Sequence, residues 1–164
     1  MSDLDELRTL APPPDDPPGA IDWAAAGVEL PPDFVELAEL YGAGTFDEGI
    51  TILVPGHADE GFDLVRQTED QRWALRYLSD QGFEPPHDPE QLLPWGIDEG
   101  GNVLWWLMEG DPASWPAVAN EARGDEWQSF PGGAVGCLAT LLSGREQSDF
   151  IVVDAGPTRF RRDA

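Results

Sequence analysis

The stretch L-L-P-W-G-I-D-E-G-G-N-V-L-W-W-L-M, residues 92–108, decides the fold. Two apolar runs, Leu92 to Trp95 and Val103 to Met108, flank the polar segment Asp98-Glu99-Gly100-Gly101-Asn102. Gly and Asn accept the positive φ that a tight chain reversal needs, so the stretch reads as a β-hairpin. Trp115 to Ala119 and Glu126 to Phe130, separated by a turn around Gly124, extend it into a meander. Side chains alternate along a strand, which sends Trp105 and Trp106 to opposite faces of the sheet.

Working outward, helical signals surround this meander. Asp22 caps a short helix through Trp23 to Ala26 that ends at Gly27. Pro31-Pro32-Asp33 starts a second helix, because proline in a first turn forgoes no hydrogen bond. Phe34, Leu37, Ala38 and Tyr41 share one of its faces, and Gly42 stops it. Gly49 to Val54 is β-branched and bounded by Pro55-Gly56, a strand signature. Asp59 or Asp63 then caps a longer helix running to about Ser79; its apolar residues Phe62, Val65, Trp73, Leu75, Tyr77 and Leu78 form an irregular stripe. A final helix over Gly133 to Leu142 aligns Ala134, Cys137, Leu138 and Leu141 and ends at Ser143-Gly144.

Helices first, a meander in the middle and a closing helix predict an α+β fold, with helices packed on an antiparallel-leaning mixed sheet. The 164 residues suit one domain. Its expected organisation is a Pro-rich N-terminal arm over 1–20, a domain over 21–150 and a C-terminal tail over 151–164. The arm contains A-P-P-P-D-D-P-P-G, an extended, donor-poor segment. Leu4, Leu7 and Leu10 ahead of it, spaced by three, fit either a short docked helix or a frayed terminus. The tail carries Arg159, Arg161 and Arg162, a local positive charge that can lie against an acidic body.

Charge is the most unusual global property. There are 32 Asp and Glu against nine arginines and no lysine, a formal net charge of -23. Such a chain repels phosphate backbones and anionic lipid, which disfavours nucleic acid and membrane surfaces as ligands and favours a basic protein partner. GC-rich coding produces the same composition. A single cysteine excludes an internal disulfide, and Met1-Ser-Asp-Leu-Asp-Glu lacks the charged and apolar regions of a signal peptide, so a cytoplasmic location is expected.

Catalytic chemistry finds few candidates. His57 and His87 lie in Pro/Gly-rich loops, away from metal-ligand spacing, and read as surface residues. Cys137, in an apolar helix with no basic neighbour in sequence, reads as core. Asp98 and Glu99 could form a carboxylate pair of the glycosidase kind, which only a separation across a cleft would reveal; they do not match a calcium loop, and a solvated hairpin turn is the default reading. Phosphate-binding, dinucleotide and nucleophile-elbow motifs are missing, and without lysine there is no Schiff-base chemistry. No catalytic, cofactor or metal residue is assigned. What remains is Trp95, Trp105, Trp106, Trp115 and Trp127, interleaved with acids; an indole on an open sheet face is a good binding anchor, and coverage of that face by other elements is the competing outcome.

The ordered motifs L-P-P-D-F (30–34), L-P-W-G-I-D-E-G-G-N (93–102), W-W-L (105–107) and G-D-P with Trp115-Pro116 resemble the SUKH superfamily, the Smi-one/Knr-four family, over about Ile21 to Gly144. Ile97 stands where that family commonly has a small hydroxyl residue, and Cys137 where an aromatic is usual; residues 59–90 are not distinctive. The resemblance implies a SUKH-like α+β interaction domain without catalytic residues, with Pro94, Gly96, Gly100 and Gly101 in shaping roles. Many bacterial members are immunity proteins that bind and neutralise a cognate toxin, often a nuclease; others are regulators or scaffolds. Together with the charge, this makes Trp95, Asp98, Glu99, Trp106, Glu109, Asp111 and Trp115 the expected partner-binding residues.

Overall fold

In the computed structural model, which describes residues 1–163, the stretch 92–107 forms the central hairpin of the sheet. Strand β3 in this hairpin is Leu92–Asp98 and β4 is Val103–Leu107. The other strands are β1 (Gly44–Phe46), β2 (Ile50–Ile52), β5 (Ala117–Asn120), β6 (Trp127–Phe130) and β7 (Phe160–Arg162), in spatial order β6-β5-β4-β3-β2-β1-β7. Every neighbouring pair is antiparallel, so the seven strands contain no parallel pairing; the expected mixed character is confined to an isolated bridge between Val54 and Asp63.

Helices lie on both faces. Three of them, α1 (Asp3–Leu10), α2 (Pro32–Tyr41) and α4 (Ala134–Ser143), contribute to the main core against Ile50, Ile52, Trp95, Leu104 and Trp106. The fourth, α3 (Leu64–Asp80), lies across the opposite face, where Leu75 meets Leu92, Val103, Trp105, Leu107 and Val118. Its start is fixed by Asp63, whose carboxylate accepts from the backbone of Val65 and Arg66. Arg72 ties it to the sheet, its Nε donating to the Leu92 carbonyl at 2.9 Å.

Within β3 the pairing register slips between Pro94 and Gly96, leaving Trp95 as the extra residue of a bulge. Bulging lets Trp95 enter the main core beside Gly96. A Cβ at Gly96 would come within 3.3 Å of Leu104, so the missing side chain is what permits the close packing. Gly101, at φ +85°, supplies the left-handed residue of the following turn.

The turn is held from inside by Asn102, the only buried amide side chain among the described residues. Its Nδ2 donates to the Asp98 carboxylate at 2.8 Å and to the Phe150 carbonyl at 3.0 Å, while its Oδ1 accepts from the Ala122 N–H at 2.7 Å. One amide thus joins the central turn, the chain leaving β5 and the segment after α4.

Both termini belong to the body. Ser2 and Asp5 form a capping box, and Leu4 and Leu7 of α1 are buried, which resolves the arm's first residues as a docked helix. The Tyr41 hydroxyl donates to the Ala11 carbonyl at 2.5 Å, and the Thr158 N–H to the Leu10 carbonyl at 2.8 Å. At the other end the expected tail supplies edge strand β7, paired with β1; Ala164, its last residue, lies outside the described residues. Asp47 and Glu48, in the β1–β2 turn, both have φ of 53°, a conformation costing a non-glycine residue about 1 kcal/mol. The tail offsets this: the Asp47 carboxylate accepts from the Asp154 N–H and the Thr158 hydroxyl, each at 2.8 Å.

Two expectations follow for stability. Asn102→Ala strands the Ala122 N–H and the Phe150 carbonyl and is expected to cost about 2–3 kcal/mol, read as a lowered urea midpoint at unchanged m. Burial also raises the Cys137 thiol well above its ordinary pKa and raises the Tyr41 phenol. In the unfolded chain these groups ionise near pH 8.5 and 10, roughly, while the folded protein keeps both protons, so stability is present below those values and declines as pH rises through them. Urea unfolding across pH should show the decline beginning near pH 8.5, and in Cys137→Ala only near about pH 10.

Candidate functional site

The tryptophans expected to contact a partner lie in the core. Trp95 and Trp106 are fully buried and Trp115 nearly so. Trp106 stands edge-to-face on Phe34 of α2 with centroids 4.8 Å apart, and Trp115 packs on its far side. The Trp115 indole donates to the Gly110 carbonyl at 3.1 Å. Trp105 does point the opposite way from Trp106, but α3 covers that face, and its Nε1 donates to Asn120 Oδ1 at 2.7 Å. Alternation along β4 therefore operates as expected; with helices on both faces it leaves no indole of the central hairpin open.

The acidic members of the same set are dispersed. Asp98 is committed to its own turn, accepting from the Gly100 and Asn102 N–H groups at 2.9 and 2.8 Å. Glu99, Glu109 and Asp111 are exposed, but Glu99 precedes β4 and the other two follow it. The five residues of β4 separate these ends by about 16 Å, so the acids do not converge on one site.

The histidines also depart from ordinary surface behaviour. The His57 ring pairs with the Asp163 carboxylate and its Nδ1 accepts from the Asp59 N–H at 2.9 Å. His87 is half-buried against the edge of Trp127. Among the described residues no cluster of His, Cys, Asp and Glu could hold a metal ion, and no helix is long and apolar enough to cross a membrane.

Exposed aromatic surface occurs instead on α3. Trp73 is 65% exposed and Tyr77 52%, and the two rings stack, one helical turn apart, with centroids at 5.5 Å and planes 14° from parallel. The sequence stripe had grouped them with Leu75. Trp73 lies two residues from Leu75, however, about 200° around the helix, and faces away from the sheet. Only Leu64 and Leu75 of α3 are buried, three turns apart on one line. That narrow line was the available signal: Leu64, Thr68, Gln71 and Leu75 follow the 4-3-4 spacing of one face, and Trp73 and Tyr77 fall outside it.

Past Tyr77 along the chain, Leu78 and Phe83 are exposed as well, Phe83 at 61%, and the Phe83 N–H closes the helix end by donating to the Leu78 carbonyl at 2.9 Å. Phe83 forms one wall of a groove of about 690 Å³ that runs to the β5–β6 hairpin, with Leu75, Leu78 and Trp127 among its apolar lining. Glu84, Glu121 and Asp125 line it as well, with Arg123 as its one cation. This surface can bury aromatic and aliphatic area and attract positive charge.

Electrostatics reinforce that attraction. Among the described residues, only Glu6, Glu48, Asp70 and Glu90 have carboxylates within 4 Å of an arginine, and Asp163 has one beside the His57 ring. The bulk of the negative charge is therefore not neutralised internally. In comparisons with family models, curated proteins and solved structures, nothing matched this chain.

The two kinds of aromatic position predict opposite mutational outcomes. Trp106→Ala should destabilise by about 3–5 kcal/mol through the cavity it leaves. Trp73→Ala should change the unfolding free energy by no more than about 0.5 kcal/mol, since it removes little buried area. Denaturant titration of the two variants checks both.

Proposed function

We propose that the protein acts by binding another protein, a basic one, and that it serves as an immunity protein neutralising a cognate toxin, with a nuclease as the best-fitting class. The carrying observation is the combination of a net charge of -23, largely unpaired within the molecule, with an exposed aromatic face on α3. Such a surface accelerates encounter with a cationic partner and supplies apolar area for retention once contact is made. A nuclease presents a cationic cleft to its substrate, and an acidic protein seated there would exclude nucleic acid. The likeness of the 30–34, 93–102 and 105–116 motifs to the SUKH superfamily supports the same role.

Catalysis is the weaker reading. Asp98, the carboxylate best placed in sequence to act, accepts three hydrogen bonds within its own turn. Regulatory or scaffold action drew on the proline-rich segment Ala11 to Gly19, whose first residue is held to the body, the Ala11 carbonyl accepting from the Tyr41 hydroxyl.

The test is co-expression with the product of the adjacent gene. The neighbour alone is expected to arrest growth of a host, and co-expression to restore it through a purified complex. Affinity should fall at least about tenfold as salt rises from roughly 50 to 500 mM, because exposed charges more than a Debye length apart are then screened. A harmless neighbour, or one that forms no complex, would overturn the immunity reading.

A further inference from the structure

Resting on the basic-partner reading, we infer that the outer face of α3 and the groove beside it are the docking surface, and that its occupant is a partner segment carrying apolar side chains flanked by arginine or lysine. Three features select this occupant. The stacked Trp73–Tyr77 pair offers an exposed aromatic face, against which a guanidinium stacks favourably. Leu78, Phe83 and Trp127 offer an apolar wall and floor in the groove beside α3, which a purely polar cation would leave unfilled. Glu84, Glu121 and Asp125 make no ion pair among the described residues and line the same groove, ready to take flanking positive charges.

A second copy of the chain is a poor occupant. Two molecules each carrying -23 repel one another, and α3 and the groove together carry only four arginines, Arg66, Arg72, Arg76 and Arg123. Arg66 is paired with Asp70, and Arg76 with Glu90. Nucleic acid is excluded by the same charge.

The probe is a synthetic 12-residue peptide of arginine and leucine, about half each, titrated by calorimetry against the full-length protein and against the double variant Trp73→Ala/Phe83→Ser. Both substituted side chains are more than half exposed, so the variant should retain the wild-type melting temperature. Wild type is expected to bind the peptide at least tenfold, roughly, more tightly than the variant does. A matching peptide with every leucine replaced by serine should bind wild type more weakly than the Arg/Leu peptide does, and show a smaller difference between wild type and variant.

Equal binding of the Arg/Leu peptide to wild type and variant would overturn this surface while leaving the basic-partner reading standing. No preference for the Arg/Leu peptide over one with glutamate in place of arginine would overturn that reading too. Absence of any binding, or a wild-type dimer in sedimentation that the variant abolishes, would also overturn the assignment, the latter by showing a second copy on the face.

Discussion

The buried amide of Asn102 is the constraint on which the rest of the arrangement depends. It satisfies groups from the β3–β4 turn, from the chain beyond β5 and from the segment following α4, so three sequence-distant pieces share one hydrogen-bonding centre. A buried polar group of this kind is costly unless all its bonds are made together, which favours one register of the meander over its neighbours. The bulge at Trp95 then directs the largest side chains into the main core, and α3 closes the other face. With both faces of the central strands covered, the large aromatics that remain exposed among the described residues, Trp73, Tyr77 and Phe83, lie on α3 and just beyond its end.

Much of this was legible in sequence because it follows local rules. The Gly100-Gly101-Asn102 turn, the proline start of α2, the Asp63 cap and the Gly144 stop each state a backbone requirement in residue type. Strands β1 and β7 were not legible. Each is three residues long, and the β1–β2 turn places Asp47 and Glu48, not glycine or asparagine, at positive φ. That turn is held by contacts more than a hundred residues away, and no local pattern carries such information. The docked N-terminal helix depended likewise on what α4 offers it.

The exposed aromatic surface was the least legible part, for a related reason. Strand alternation correctly sent Trp105 and Trp106 to opposite faces, yet openness of a face depends on whether another element lies over it. Placing α3 across β3–β5 buried one indole that could have been an anchor, and the same placement exposed Trp73 and Tyr77 on the far side of the helix. Tryptophan count therefore pointed to indoles that the fold buries; the narrow Leu64–Leu75 line marked the helix that keeps Trp73 and Tyr77 exposed. Net charge does not single out any one surface, since acidic residues occur over the whole chain.

The central claim is that a basic protein partner docks on the outer face of α3 and its groove. Hydrogen–deuterium exchange of the complex against the free protein tests it most directly. The account predicts added protection concentrated in residues 73–85 and 120–127, with the central turn at 98–102 unchanged. Protection confined to 98–111, around the hairpin acids, with the α3 face still exchanging as in the free protein, would contradict it.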